Sequence, residues 1–100
     1  MIKYLENEKD LETEIKEGTV LLDFYADWCG PCKMLSTVLE DITEENKDIK
    51  ILKINIDKLD NLARQYGVMS IPTLVLYKDG KETNKNVGFL SPEELKAFVK

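Results

Sequence analysis

Apolar positions along the chain follow two spacings in turn. "TVLLDFYA", residues 19–26, is a nearly continuous apolar run through Val20, Leu21, Leu22, Phe24 and Tyr25, the pattern of a strand covered on both faces. After Cys29-Gly30-Pro31-Cys32, residues Met34, Leu35, Val38, Leu39 and Ile42 recur at helical spacing, with Glu40, Asp41, Glu44 and Glu45 on the other side. A strand therefore leads straight into a helix, with the cysteines at the joint. "IKILKINID" supplies a second interior strand through Ile51, Leu52, Ile54 and Ile56. The helix between the two strands makes them parallel, joined by a right-handed crossover.

The rest of the chain follows the same logic. Leu59, Leu62, Ala63 and Tyr66 form an i, i+3, i+4, i+7 stripe that stops at Gly67, a natural helix end. "TLVLY", the turn at Asp79-Gly80 and a weaker strand ending near Val87 read as a hairpin. "SPEELKAFVK" opens a last helix with Ser91 as N-cap, Pro92 in the first position and Glu94 completing a capping box. Near the start, Tyr4 and Leu5 suggest a short strand, and Leu11 with Ile15 a helix ending at Gly18. The order is β-α-β-α-β-α-β-β-α, an α/β fold with a central mixed β-sheet and helices on both faces. In open sheets of this kind sites form beyond the carboxyl ends of the parallel strands, which is where Cys29 falls.

One hundred residues, 43% of them hydrophobic, suit a single domain with one real core, spanning residues 1–100. The net charge of −5, with acids scattered through the helices, argues against nucleic acid as a partner, since no basic stripe is available to neutralise phosphates. The first apolar run is too short for a signal-peptide core and nothing later approaches a membrane span, so a cytoplasmic protein is expected. In that compartment a structural disulfide would be out of place.

Cys29 and Cys32 are the only cysteines, and there is no histidine. A structural zinc site would need four such ligands, so no metal is expected. A staple closing so small a loop would restrict the unfolded chain very little. A redox pair remains. Pro31 suits a first helical turn, which puts the Cys29 sulfur near unsatisfied backbone N–H groups and the positive end of the helix dipole. Both favour thiolate, making Cys29 the nucleophile. Cys32 follows one turn later, about 5–6 Å away by Cβ separation, and is the inward-facing resolving thiol.

"DFYADWCGPCK" resembles the active-site segment of the thioredoxin family. The likeness runs through "KINID" at residues 53–57, "SIPTLVLYKDG" at 70–80 and "VGFLSPEEL" at 87–95. The resemblance implies the thioredoxin fold, and it implies roles for individual residues. Trp28 is similar to the tryptophan that covers the redox pair, although a large aromatic could equally be partly buried for packing alone. Ile71-Pro72 resembles the family's cis-proline turn, which presents the Ile71 backbone to an extended substrate segment. Gly88 is similar to the glycine that leaves room for substrate against Trp28 and Pro72, though it could also be a plain strand-end glycine. With Gly30 and Pro31 these residues form the expected substrate surface, which should be mildly apolar around an accessible Cys29.

Asp23 interrupts an apolar run where a strand buried on both faces has little room for a carboxylate, so desolvation should raise its pKa. The alternative is an aspartate at a strand edge, ionised and bonded to the backbone. In the family the matching aspartate lies behind the resolving cysteine, near a lysine that Lys53 resembles; the resemblance implies proton transfer by Asp23. Two positions depart from the family pattern. Thr37 stands where many members carry a helix-kinking proline, and Tyr25 where tryptophan is common.

The resemblance implies a protein dithiol–disulfide oxidoreductase, reducing disulfides of client proteins and recharged by an NADPH-dependent thioredoxin reductase. No cofactor of its own is implied, and a monomer is expected. A disulfide oxidase or isomerase on the same fold is one alternative; the uncharged Gly30-Pro31 pair favours a reductant. A binding module in a larger assembly is another, against which the intact cysteines, tryptophan and proline argue.

Overall fold

A computed structural model describes residues 1–100. Strand β1 (Ile2–Tyr4) is followed by a 3-10 turn at Glu8–Asp10 and a short helix α1 (Leu11–Glu14). Then come β2 (Thr19–Tyr25), α2 (Gly30–Glu45), β3 (Ile49–Asn55), α3 (Asp60–Gln65), the hairpin β4 (Thr73–Lys78) and β5 (Lys81–Val87), and α4 (Pro92–Phe98). The expected element order is present throughout.

The sheet order is β1-β3-β2-β4-β5. Strands β1, β3 and β2 run parallel, while β4 runs antiparallel to β2 and β5 antiparallel to β4. The two long hydrophobic strands β2 and β3 therefore lie in the interior, and the polar β5 at an edge. The hairpin turns through Asp79 and Gly80, both at positive φ (49° and 85°), as a tight turn matched to strand twist requires.

Side-chain alternation along β2 divides the core between the two faces of the sheet. Val20, Leu22 and Phe24 pack on one side with Leu52, Ile54, Leu62 and Val75. Leu21 packs on the other with Ile51, Leu74 and Leu76, under Leu35, Leu39 and Ile42 of α2 and Leu95 of α4. Leu22, Leu35 and Leu39 are essentially inaccessible to solvent, so truncating any of them to alanine should cost about 2–5 kcal/mol. The same period places Asp23 on the α2 side. Its parallel neighbour in register is Lys53, which shares that face. Two charged residues thus occupy the row that Leu21 and Ile51 fill one step earlier.

The first helix is shorter than its pattern suggested. Instead of continuing to Gly18, it ends at Glu14, with Ile15 as C-cap. Gly18 is held by the hairpin turn: its N–H donates to Asp79 Oδ1 at 2.8 Å, and the Asp79 N–H donates to its carbonyl at 2.9 Å. Tertiary bonds at this point replace the last helical turn. The final helix has the full capping box, with Ser91 Oγ accepting from the Glu94 N–H and the Glu94 carboxylate accepting from the Ser91 N–H.

Candidate active site

Cys29 is the N-cap of α2, with extended backbone (φ −91°, ψ 113°) and Pro31 in the first turn. Its sulfur accepts the Cys32 backbone N–H at 3.2 Å. This is the electrostatic setting expected for a stabilised thiolate: an orphan helix N–H directed at sulfur, at the positive end of a 16-residue helix. Cys29 and Cys32 are joined as a disulfide, with Cα atoms 5.2 Å apart. The three-residue separation across the start of α2 brings the sulfurs together.

Antiparallel pairing brings in the next group. Phe24 of β2 is opposite Thr73 of β4, so the residues just before Thr73 lie beside the loop that leaves β2. The Ile71-Pro72 peptide bond is cis, and the Ile71 carbonyl oxygen lies 3.9 Å from Cys29 Sγ. Thr73 is in turn opposite Val87. Gly88, next along the chain, donates its N–H to the Pro72 carbonyl at 2.8 Å. Its φ of 104° is a conformation that residues with a Cβ rarely adopt, which is reason enough for glycine here.

Trp28 is 69% exposed and its indole Nε1 donates to Asp57 Oδ2 at 2.9 Å. The bond ties the loop after β2 to the segment after β3. Met69, Val87 and Phe89, which lie in the chain close to Ile71-Pro72 and Gly88, are exposed as well, so the segments around the cis-proline and Gly88 carry apolar side chains at the surface. One expectation is not met. Cys29 is only 5% exposed, against 2% for Cys32. In the oxidised pair its sulfur is covered by the bond to Cys32 and by the Ile71 backbone, which leaves a small opening rather than an accessible thiol.

Asp23, in the strand that leads to the cysteine loop, is completely buried. Neither carboxylate oxygen has a hydrogen-bond partner among protein atoms, which rules out the backbone-satisfied alternative. Its charge partner is the Lys53 ammonium, 3.5 Å from Oδ2. Desolvation pushes the Asp23 pKa up to about 6, with the Lys53 charge pulling against it. The Lys53 ammonium also donates to Ser36 Oγ, and it lies 4.7 Å from the centre of the Tyr25 ring. A cleft of about 170 Å³ reaches this group from solvent, lined by Tyr4, Tyr25, Ala26, Asp27, Cys32, Lys33, Ser36 and Lys53.

The site thus brings together Asp23, Trp28, Cys29, Gly30, Pro31, Cys32, Lys53, Ile71, Pro72 and Gly88. Sequence reasoning missed Ser36 and Asp57 as partners of Lys53 and Trp28, and the contact of the Tyr25 ring with the lysine. Each pairing joins residues far apart in the chain, and no local pattern marks them.

The thioredoxin family model matches residues 2–100. The chain belongs to the thioredoxin family. The thioredoxin of Bacillus subtilis is 47% identical over 93 residues, covering 92% of this chain and 89% of the relative. That of Chlamydia trachomatis is 47% identical over 89 residues, covering 89% and 87%. A mutant thioredoxin from Halobacterium salinarum superposes with a TM-score of 0.89 at 39% identity, covering 98% of this chain and 87% of that one. Thioredoxins are protein disulfide oxidoreductases that work with disulfide-bearing clients and a thioredoxin reductase. The Cys29–Cys32 pair at bonding distance supplies that chemistry in this thioredoxin fold. No helix is long and apolar enough to cross a membrane.

Proposed function

We propose that the chain acts as a reductant of client-protein disulfides, with Cys29 as attacking and Cys32 as resolving sulfur. The observation that carries the assignment is the Cys32 N–H directed at Cys29 Sγ at the start of α2. It stabilises negative charge on Cys29 and offers none to Cys32, which lies a turn further in.

The Cys29 thiolate attacks one sulfur of a client disulfide. The client S–S bond breaks, the second client sulfur leaves as a thiolate that takes a proton from water, and a Cys29–client disulfide forms. Trp28, Ile71, Pro72 and Gly88, with Gly30 and Pro31, form the surface against which an extended client segment lies. The free Ile71 backbone pairs with it. Cys32 then gives its proton to the Asp23 carboxylate, and its sulfur attacks Cys29 Sγ. The Cys29–client bond breaks, the Cys29–Cys32 bond forms, and the client sulfur leaves as a thiolate that takes a proton from water while Asp23 returns its proton to water, so the client departs with both electrons and two thiols. A carboxylate with a pKa of about 6 is ionised at neutral pH yet basic enough to take up a thiol proton in passing. Lys53 keeps it ionised.

The reading extends to a cytoplasmic monomer whose reductase draws on NADPH. Family membership and the uncharged Gly30-Pro31 dipeptide, which adds nothing to make the disulfide more oxidising, support a reductant over a disulfide oxidase. The test is capture of the intermediate. A Cys32→Ser protein mixed with a disulfide-bonded substrate should accumulate a covalent complex through Cys29, removable by dithiothreitol, and Cys29→Ser should form none. Capture by Cys29→Ser through Cys32 would reverse the assignment.

A further inference from the structure

Lys53 carries a cation into a buried site that has a single carboxylate to meet it, and its other neighbours are the Ser36 hydroxyl and two aromatic rings. The ammonium lies 4.7 Å from the Tyr25 ring centre and 5.9 Å from that of Tyr4, both within the range of cation–π attraction. The two rings meet edge to face, with centroids 6.3 Å apart and planes at 75°, a favoured aromatic geometry. They come from different strands, Tyr4 from the end of β1 and Tyr25 from the end of β2, flanking Lys53 on β3. All three line the cleft that Cys32 also lines.

We infer that Tyr25, braced by Tyr4, is a positioning residue that holds the Lys53 ammonium against Asp23 and so sets the proton affinity of the carboxylate that serves Cys32. The inference rests on the proton-transfer role proposed above for Asp23.

Three observations support it. The cleft beside Lys53 opens to solvent, so a flexible lysine chain has a hydrated alternative to the buried position. Only Ser36 Oγ accepts a hydrogen bond from the ammonium, and the Asp23 contact, at 3.5 Å, is longer than a close ion pair. The Tyr25 and Tyr4 rings supply the remaining attraction on the solvent side. Tyr25 stays neutral, because burial pushes its phenol above the ordinary tyrosine value, so its ring attracts the cation without adding a charge to the site.

The charged and titratable groups around the pair are few. Strand β2 brings Asp23 and Tyr25, β3 brings Lys53, and β1 brings Tyr4. Helix α2 brings Cys32 and Lys33, and the loop before it Asp27. Strand β4, opposite Asp23, presents Leu74 and no charge. Lys53 is thus the one cation in contact with Asp23, and anything that lets it swing out weakens the hold on the ionised carboxylate.

The sign of the effect separates positioning from packing. Without the ring, Lys53 spends time in the cleft and Asp23 binds its proton more tightly, so its midpoint rises. If the ring merely filled space, its loss would admit water, ease desolvation and lower the midpoint. The experiment follows the Asp23 carboxyl carbon by NMR through a pH titration of the full-length reduced protein, alongside the pH profile of client release from the mixed disulfide. Tyr25→Leu should move the Asp23 midpoint upward by roughly half a pH unit, the size of a cation–π contact. The release profile should move with it. Tyr25→Phe and Tyr25→Trp, which keep a ring, should retain the wild-type midpoint.

Tyr4→Leu alters an exposed side chain and leaves the core intact, so it keeps the test available if Tyr25→Leu folds poorly; it should give a smaller upward shift. An unchanged or lowered midpoint in both leucine variants would overturn the inference, as would a Tyr25→Phe protein that shifts as far as Tyr25→Leu. A Lys53→Met protein supplies the upper bound. The NMR midpoint reads the positioning role directly. Failure of the underlying reading shows elsewhere, as an Asp23→Asn protein whose release profile matches wild type.

Discussion

Asp23 and Lys53 are register neighbours on parallel strands β2 and β3, and their charged groups meet 3.5 Å apart beneath the inner cysteine's helix. An ion pair there is poor stabilisation. The carboxylate has no hydrogen bond from the protein, and burying two charges costs more than their attraction at this distance returns. In the proposed mechanism its use is chemical: it keeps a base of intermediate strength for Cys32.

The first prediction concerns stability. Asp23 has a folded pKa of about 6 against an ordinary value of 3.8, so the folded state binds its proton more tightly than the unfolded one. Its contribution is therefore fully present below pH 3.8 and is lost as pH rises through about 6. At about 1.4 kcal/mol per pH unit, the loss is about 3 kcal/mol. Asp23→Asn escapes it but leaves Lys53 without its anion. The net gain in urea unfolding at pH 7.5 should be about 1–3 kcal/mol, and it should shrink towards zero or below as pH is brought down to about 4. A mutant destabilised at neutral pH would contradict the assignment.

The second concerns the cysteines. In reduced protein at pH 7, a thiol-alkylating reagent should modify Cys29 faster than Cys32 by on the order of tenfold, since the helix N-terminus stabilises only the outer thiolate. Peptide mapping after short exposure reads the ratio. The low exposure of Cys29 in the disulfide form makes a small reagent the proper probe; equal labelling would remove the basis for the order of attack.

The third concerns Trp28. Asp57→Ala removes the acceptor of the indole N–H at an exposed position, so global stability should change by less than about 1 kcal/mol. The ring loses its tether. Fluorescence anisotropy of this single tryptophan should fall, and the KM for a protein disulfide should rise more than kcat falls. Unchanged anisotropy would mean that packing alone orients the indole.

The contrast between these residues marks how far the sequence can be read. The strand, the joint at Cys29-Gly30-Pro31-Cys32 and the following helix were readable because alternation, helical spacing and a proline in the first turn all act locally. Asp23 stood out because an acid in an apolar run has few physical explanations. Asp57 with Trp28, and Ser36 and Tyr25 with Lys53, were invisible because each contact depends on how separate elements pack. The early end of α1 is of the same kind: Asp79 captures Gly18 from 61 residues away. The covering of Cys29 was also unreadable, since it comes from the Ile71 backbone and the closed disulfide rather than from any neighbour in the chain.

The most direct test of the central claim, that this site is built to give electrons to client disulfides, is the reduction potential of the Cys29–Cys32 pair. Equilibration with a glutathione or dithiothreitol buffer, read by the fluorescence of Trp28, measures it. The reductant assignment requires a value near the roughly −270 mV characteristic of thioredoxins themselves, a reference taken from the family and not from this geometry. A value near the roughly −120 mV of a dedicated disulfide oxidase would contradict it.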